Sequence, residues 1–417
     1  MVNETLSYLY NLRNRGSSFG IDRMSRFIEL LEFPQESFPI IHVAGTNGKG
    51  SVCAMLDSIY RANGYNVGLF SSPHLVELGE RVRVNGRNIT DEQIQGWVGK
   101  LKLIAQKMEA EKKDNHPTFF EFMTAIAFLF FKENKVDLAI IETGLGGRLD
   151  STNVVKPELS IITTISKDHC SILGNCLEGI AKEKAGIIKE NTPVLVGWLS
   201  SATFEVIRLI AEARRAPFHT VQDLAPKEWP NTNLQGSYQS QNASMALRAS
   251  DILNHKLPVT HSKSKAALKN VKMLGRWQMI EGNPKIILDA CHNSAGAICL
   301  RENLKNLQEK PEIWIGVLGE DRAKDIIAVV ADFAKSIKLF EVNQPRACSF
   351  AFLRSIIPQS FKGEIMNFEL EKVKEELVHS DSKNTILVTG SIYLIGDILC
   401  LLKSPNFEQK FNWNDIF

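Results

Sequence analysis

Seven consecutive residues, Gly45-Thr46-Asn47-Gly48-Lys49-Gly50-Ser51, combine three glycines with one lysine and one serine. Such a set can hold phosphate. Glycines let backbone N–H groups turn toward an anion, a helix N-terminus adds its partial positive charge, and a lysine reaches the terminal phosphates. Ser51 stands where a phosphate-loop hydroxyl meets Mg²⁺. The loop departs from G-x-x-x-x-G-K-[ST]: Gly50 separates lysine from serine, and Gly45 lies closer to Gly48. A plain strand-to-helix connection would also use glycine, but lysine and serine in these places point to an ATP site.

Three further sets of polar residues end apolar runs: Ser72, Glu142, and the pair Asp168-His169. An acid at a strand end holds Mg²⁺ directly or through water, as in other phosphate-loop enzymes. Ser72 and His169 could complete the metal's shell. Each has a plainer alternative: Ser72 before Pro73 as the start of a turn, His169 as a satisfied buried histidine. Gly144-Leu145-Gly146-Gly147-Arg148-Leu149-Asp150 directly follows Glu142 and could be an ordinary loop. Lys182 and Lys184 flank Glu183 on a helix starting near Leu177, and a solvated charged face is the simplest account of them.

The elements that position these residues alternate. Phe38 to Val43 is a short apolar run suited to a buried parallel strand; Val52, Met55, Leu56, Ile59 and Tyr60 follow the loop at helical spacing until Asn63-Gly64. Val67 to Phe70, Leu138 to Glu142, Leu159 to Ile165 and Val194 to Gly197 are further strands. Ile21 to Leu31 outlines a helix, and Arg81 to Val84 meets Asn85-Gly86, a hairpin signal. Thr90 to Gln93 is a capping box ahead of an amphipathic helix, and Thr118 to Phe131 is apolar nearly all round, hence a buried helix. Asn134-Lys135-Val136-Asp137 matches a guanine-reading signature, but it precedes a strand instead of following one, which argues against a GTPase. In open α/β sheets ligands gather at the carboxyl ends of strands, where all the candidate polar residues fall.

Near Asn270 the pattern restarts. Trp277 to Glu281 and Lys285 to Asp289 flank the turn Gly282-Asn283-Pro284, and strands follow at Ile313 to Val317, Ile337 to Val342 and Thr385 to Val388. The expectation is an α/β protein: an N-terminal phosphate-loop ATPase-like domain with a largely parallel sheet over 1–273, and a smaller C-terminal Rossmann-like domain over 274–417.

Bulk properties narrow the class. A chain of 417 residues suits two domains, and 44% hydrophobic with 23% charged residues is ordinary for a soluble globular protein. A net charge of +2 provides no basic field for nucleic acid. Seven scattered cysteines without C-x-x-C suit a reducing compartment. The first residues lack a secretory pattern, and the most apolar run, Phe119 to Phe131, is too short for a bilayer and contains Glu121. A cytoplasmic protein without a membrane partner is expected.

The motifs closely resemble the folylpolyglutamate synthase/dihydrofolate synthase family of the Mur ligase superfamily. They are His42 to Ser51, Ser72-Pro73-His74-Leu75, Glu80 to Val84, Thr118 to Glu121, Glu142 to Asp150 and Glu183 to Ile187, then Gly275-Arg276, Asp289 to Asn293, Pro345-Arg346-Ala347 and Thr389-Gly390-Ser391. They run in order over nearly the whole chain. The resemblance implies a phosphate-loop domain followed by a Rossmann-like domain, and amide formation between a pteroyl carboxylate and glutamate through an acyl phosphate. It implies ATP bound by Lys49 and the loop residues Gly45, Thr46, Asn47, Gly48, Gly50 and Ser51. Mg²⁺ would be held by Ser72, Glu142 and His169, and a second Mg²⁺ by a carbamylated Lys184; a K⁺ ion is allowed for. Lys49, His169, Lys184 and Arg276 would be catalytic. Thr118 and Phe120 would lie along the pterin pocket, and Arg276, Asp289 and His292 would complete the nucleotide site. The implied partners are pteroate or folate, L-glutamate and ATP, acting on a monomer.

Some positions depart from the family pattern. Asp289-Ala290-Cys291-His292-Asn293-Ser294 stands in place of D-G-A-H-N-P, Leu274 replaces a proline, and Ser166-Lys167 replaces a small or apolar pair. Two other functions compete. A sister Mur ligase acting on a cell-wall nucleotide would share the phosphate loop but not Thr118 to Glu121. A non-ligating phosphate-loop regulator would lack the phosphate lysine or the metal residues.

Overall fold

Five-residue strand β1 (Ile40–Ala44) is buried along its whole length, as a central parallel strand must be when helices cover both faces. The computed structural model describes residues 2–12, 20–379 and 384–403. Around β1 the chain adds β2 (Val67–Phe70), β3 (Val82–Val84), β4 (Arg87–Asn88), β5 (Leu138–Glu142), β6 (Leu159–Ile162), β7 (Val194–Val196) and β8 (Phe218–Thr220). Their order is β4-β3-β2-β5-β1-β6-β7-β8. The six strands from β2 to β8 are parallel, and β3 and β4 extend the β2 edge as an antiparallel hairpin. That hairpin turns at Asn85 and Gly86, both with positive φ, the backbone of a two-residue turn.

Helices cover the sheet. Lys49–Ala62 follows β1 and stops at Asn63-Gly64. Asp91–Glu111 starts from the Thr90–Gln93 capping box. Phe119–Glu133 is buried on most of its surface and packs in one apolar cluster with Phe27, Phe70 and Ile141. Asn134 caps that helix and β5 begins at Leu138, so Asn134 to Asp137 is a helix-to-strand turn. No helix among the described residues is long and apolar enough to cross a membrane.

The second sheet has the order β13-β12-β11-β14-β10-β9. Its strands are β9 (Gln278–Ile280), β10 (Lys285–Asp289), β11 (Glu312–Ile315), β12 (Ser336–Leu339), β13 (Ile365–Asn367) and β14 (Thr385–Thr389). Only β9 is antiparallel, at the edge. The chain divides into two units: 1–231 with 241–270, and 232–240 with 271–417. Residues 404–417, within the expected second domain, lie outside the described residues, as does Met1.

Candidate active site

The sheet order explains how residues far apart in the chain meet. Strands β2, β5, β1 and β6 are consecutive and parallel, so their carboxyl ends share one edge, about 4.8 Å apart from strand to strand. Those ends lead to Ser72, Glu142, the glycine loop, and Asp168-His169 respectively.

The glycine loop is held from β6. Thr46 N donates to Thr164 O (2.8 Å) and Asn47 N to Thr164 Oγ1 (3.0 Å), while Thr163 Oγ1 donates to Asn47 O (2.7 Å). Two glycines are obligatory. Gly45 has φ 150°, and a Cβ there would stand 1.9 Å from Thr163 Oγ1; Gly48 has φ 86°, and a Cβ there would stand 2.6 Å from Asn242 Oδ1. Gly48 caps the helix that begins at Lys49. Lys49 Nζ donates to the Gly45 and Thr46 carbonyls at 3.2 and 3.3 Å, folded back over its own loop. Ser51 is buried in the first turn.

Ser72 and Glu142 meet directly: Ser72 N donates to Glu142 Oε2 at 3.2 Å. Glu142 is only 4% exposed. The loop after Ser72 is organised by Glu80, whose carboxylate accepts from Leu75 N (2.7 Å), Val76 N (2.9 Å) and Glu77 N (2.8 Å). Arg81 closes it, donating from Nε to His74 Nδ1 at 2.8 Å.

Lys184 corrects the simplest account of its helix. It is 4% exposed, whereas Lys182 faces solvent. The cause is the glycine-rich loop after β5, which docks against the end of helix Leu177–Ala185. Arg148 N donates to Glu183 O (2.7 Å), Arg148 NH2 pairs with Glu183 Oε1 (2.9 Å), and a Cβ on Gly147 would stand 2.8 Å from the Glu183 and Lys184 carbonyls. Lys184 Nζ donates to Gly45 O at 2.8 Å. Burial pushes its ammonium down to about 7, and Lys49 adds to the effect; Asp168 and Asp150 oppose it. His169 is not a buried histidine. Its side chain is one-third exposed, its backbone has φ 51°, and its N–H donates to Asp168 Oδ1 at 2.8 Å.

Phe120 packs on Phe70 at 5.7 Å between ring centroids, and lies so close to Gly144 that a Cβ there would stand 2.6 Å from its ring. Thr118 caps the same helix. Its hydroxyl and N–H both donate to Glu121 Oε2, at 2.9 and 2.7 Å, and Arg23 Nε pairs with that oxygen at 2.7 Å. In the second unit Arg276 NH1 and His292 Nδ1 both meet Ala290 O, at 3.2 and 2.8 Å. Buried Asp289 accepts from Trp277 N and Cys291 N, both at 3.0 Å, and burial raises its carboxyl to about 6. Asn293 caps helix Ser294–Lys305 by accepting from Gly296 N (2.8 Å).

The Mur ligase middle domain model matches residues 43–276. A Bacillus subtilis dihydrofolate synthase/folylpolyglutamate synthase is 34% identical, covering 95% of this chain and 98% of that protein. The chain belongs to this family of Mur ligases. Solved structures agree: a Mycobacterium tuberculosis folylpolyglutamate synthase complexed with ADP has TM-score 0.86 at 27% identity, covering 97% of this chain and 99% of that one. An Escherichia coli FolC in complex with DHPP and ADP has TM-score 0.84 at 26% identity, over 97% and 99%.

As a member of the folylpolyglutamate synthase/dihydrofolate synthase family, the protein is a ligase with the two-domain Mur ligase fold. The candidate donors at these strand ends, one buried carboxylate, a hydroxyl and an imidazole, are of the hard type magnesium takes, the imidazole apart. Among the described residues no three His, Cys, Asp or Glu side chains cluster as a metal site. Lys184 as an ammonium donates to Gly45 and fits a metal only after modification. Sequence reasoning overlooked Thr163, Thr164, Asn242 and Tyr238. The two threonines could have been found, because they end an apolar run beside β1. Asn242 and Tyr238 sit in helix Ser237–Ile252 with no motif to mark them; burial raises the Tyr238 phenol, and nearby Asp289 adds to it.

Proposed function

We propose that this protein joins L-glutamate to dihydropteroate, to the glutamate tail of reduced folates, or to both, at the expense of ATP in folate biosynthesis. The observation that carries this is the shared strand edge: phosphate lysine, buried acid and the aromatic Phe120 follow neighbouring parallel strands or flank their loops. The acceptor carboxylate attacks the γ-phosphorus of ATP, giving an acyl phosphate and ADP. The glutamate amine then attacks the acyl carbon, loses a proton and expels phosphate. Lys49 and the N–H groups of Gly45 to Ser51 hold the phosphates, and Arg276, Asp289 and His292 serve the nucleotide. Ser72, Glu142 and His169 would hold Mg²⁺, and a carbamylated Lys184 a second Mg²⁺, offsetting charge on the phosphate oxygens. A lysine near neutrality supports modification, since the unprotonated amine is the form that adds CO₂. Phe120 lines the pterin pocket, and Thr118 seats its helix.

The proposed division of labour is ATP binding in 1–273 and a Rossmann-like ligase domain in 274–417. A cytoplasmic location without a nucleic-acid or membrane partner rests on charge and composition, and a monomer with small-molecule substrates and K⁺ as an accessory cation rests on the resemblance. The test supplies purified protein with ATP, labelled glutamate and either dihydropteroate or a reduced folate. Label in an amide product supports the proposal. Amide formation only with a cell-wall nucleotide would replace it with the sister ligase.

A further inference from the structure

The peptides of the glycine loop do not all face the same way. The first two turn their N–H groups to the threonines just past β6. Thr46 N donates to Thr164 O at 2.8 Å and Asn47 N to Thr164 Oγ1 at 3.0 Å. The carbonyls of those peptides go to lysines: Gly45 O to Lys49 and Lys184, Thr46 O to Lys49. The next peptide is reversed, because Asn47 O accepts from Thr163 Oγ1 at 2.7 Å and from Thr164 Oγ1 at 3.1 Å. These peptides are trans; among the described residues the cis bonds are Ser72-Pro73 and Asn283-Pro284. In a planar trans peptide the C=O and N–H point in opposite directions. With Asn47 O on the threonines, the Gly48 N–H is therefore directed away from β6, to the side from which the lysines reach the loop.

Side-chain hydroxyls hold this reversal. The Thr164 hydroxyl accepts from the N–H of Asn47 and donates to its carbonyl, so one oxygen grips both backbone groups. Thr163, fully buried, adds the second donor to that carbonyl. Valine at either place would keep the shape and remove a partner, leaving polar backbone unpaired beside the buried strand. Gly48 follows with φ 86°, the left-handed backbone that carries the reversed peptide into the helix starting at Lys49. A matching clasp runs the other way. Thr46 Oγ1 accepts from Ser166 N at 3.0 Å and donates to Ser166 O at 3.2 Å. The loop and the segment leading to Asp168-His169 are thus fastened to each other at two neighbouring points.

We propose that Thr163 and Thr164 are positioning residues for nucleotide binding: their hydroxyls set the reversal at Asn47-Gly48 and so aim the Gly48 N–H, with the first turn of the helix behind it, at phosphate. They act through the loop and not on the ligand. The inference rests on the phosphate-loop reading of Gly45 to Ser51 and narrows its N–H donors to those from Gly48 onward. The N–H groups of Thr46 and Asn47 are spent on Thr164 and serve as scaffold. Without the hydroxyls the Asn47-Gly48 peptide is free to rotate, and an N–H that must be turned before it can meet an anion binds it less tightly.

The experiment titrates ADP into the full-length protein by calorimetry with EDTA present, so that the loop is read without metal. Thr163→Val and Thr164→Val should each weaken ADP binding by a few fold, and the double variant by at least about tenfold. Thr163→Ser and Thr164→Ser, which keep the hydroxyl, should stay within about twofold of wild type. Ser160→Ala controls for lost stability: it lies on the same strand, its hydroxyl donates to Ile187 O at 3.0 Å, and its loss should leave ADP affinity unchanged at any Tm. In steady-state assays the double valine variant should raise the KM for ATP and leave that for glutamate alone. Wild-type affinity in both valine variants, an equal loss in Ser160→Ala, or serine variants as weak as the valine ones overturns the positioning role and leaves the phosphate loop standing. Absence of ADP binding by the wild-type protein overturns the phosphate-loop reading and this inference with it. Should the double variant unfold, the single valine and serine pairs decide.

Discussion

Lys184 Nζ donates to the carbonyl of Gly45 at 2.8 Å, across 139 positions of chain, and Lys49 donates to that same carbonyl at 3.2 Å. Two ammonium groups thus share one acceptor at the mouth of the phosphate loop. Burial, with the repulsion from Lys49 added to it, favours the neutral form of Lys184.

Lys49→Ala should leave the fold nearly intact, because Lys49 Nζ donates to carbonyls of its own loop instead of packing in the core. Ligation should fall on the order of 100-fold or more, with kcat affected more than the KM for glutamate. Steady-state kinetics and a thermal melt check this. Wild-type turnover in a variant of normal Tm would remove the phosphate-loop assignment.

Lys184→Ala distinguishes a buried functional lysine from a surface one. Replacing a solvated lysine changes stability by no more than about 0.5 kcal/mol and leaves activity alone. Here most activity should disappear, and short carboxylic acids in the assay should restore part of it by supplying the missing anion. Depleting CO₂ and bicarbonate should slow the wild-type enzyme reversibly. Full activity in Lys184→Ala would contradict the assignment.

The burial of Lys184 also marks where sequence reasoning stops. The strand before the phosphate loop, the helix after it, Glu142 at a strand end and the Asn85-Gly86 hairpin all have local signals: periodicity, glycine and caps. Nothing local says which of Lys182 and Lys184 is buried. That depends on Gly147 and Arg148 docking against Glu183, a contact made only once the loop after β5 has folded back. The half-buried edge strand β8 and the short β13 went unseen for a related reason, since three residues carry no period. Residues 232–240 group with the second unit although they precede its main stretch, and no composition shift announces that.

Arg276→Ala should cut ATP-dependent turnover by at least about tenfold, the scale of a lost charge-assisted hydrogen bond. Arg276→Lys should recover only part, because an ammonium cannot reproduce the planar fork. Initial rates across ATP concentrations measure both. Unchanged ATP dependence in Arg276→Ala would take this residue out of the nucleotide site.

His42 should set an acid limit on stability. It is fully buried in β1, its Nε2 bonded to Thr152 Oγ1 at 2.8 Å, and burial, aided by Lys189, pulls its imidazole down to about 3. The unfolded chain binds a proton near pH 6.5 and the folded chain does not until about 3. Between those values the unfolded state carries more protons, so stability rises with pH and is lost on acidification, with a slope approaching about 1.4 kcal/mol per pH unit. Urea unfolding from pH 7 to 4.5 should show a shallower dependence in His42→Gln. Parallel curves for the two proteins would contradict this.

The central claim, ligation through an acyl phosphate, is tested most directly with an acceptor whose carboxylate carries ¹⁸O at both oxygens. Attack of that carboxylate on ATP leaves one of its oxygens bridging carbon and phosphorus. Displacement by glutamate then releases the bridging oxygen with phosphate. Mass spectrometry of the phosphate formed during amide synthesis should find one ¹⁸O per molecule. Amide product accompanied by unlabelled phosphate would contradict the account.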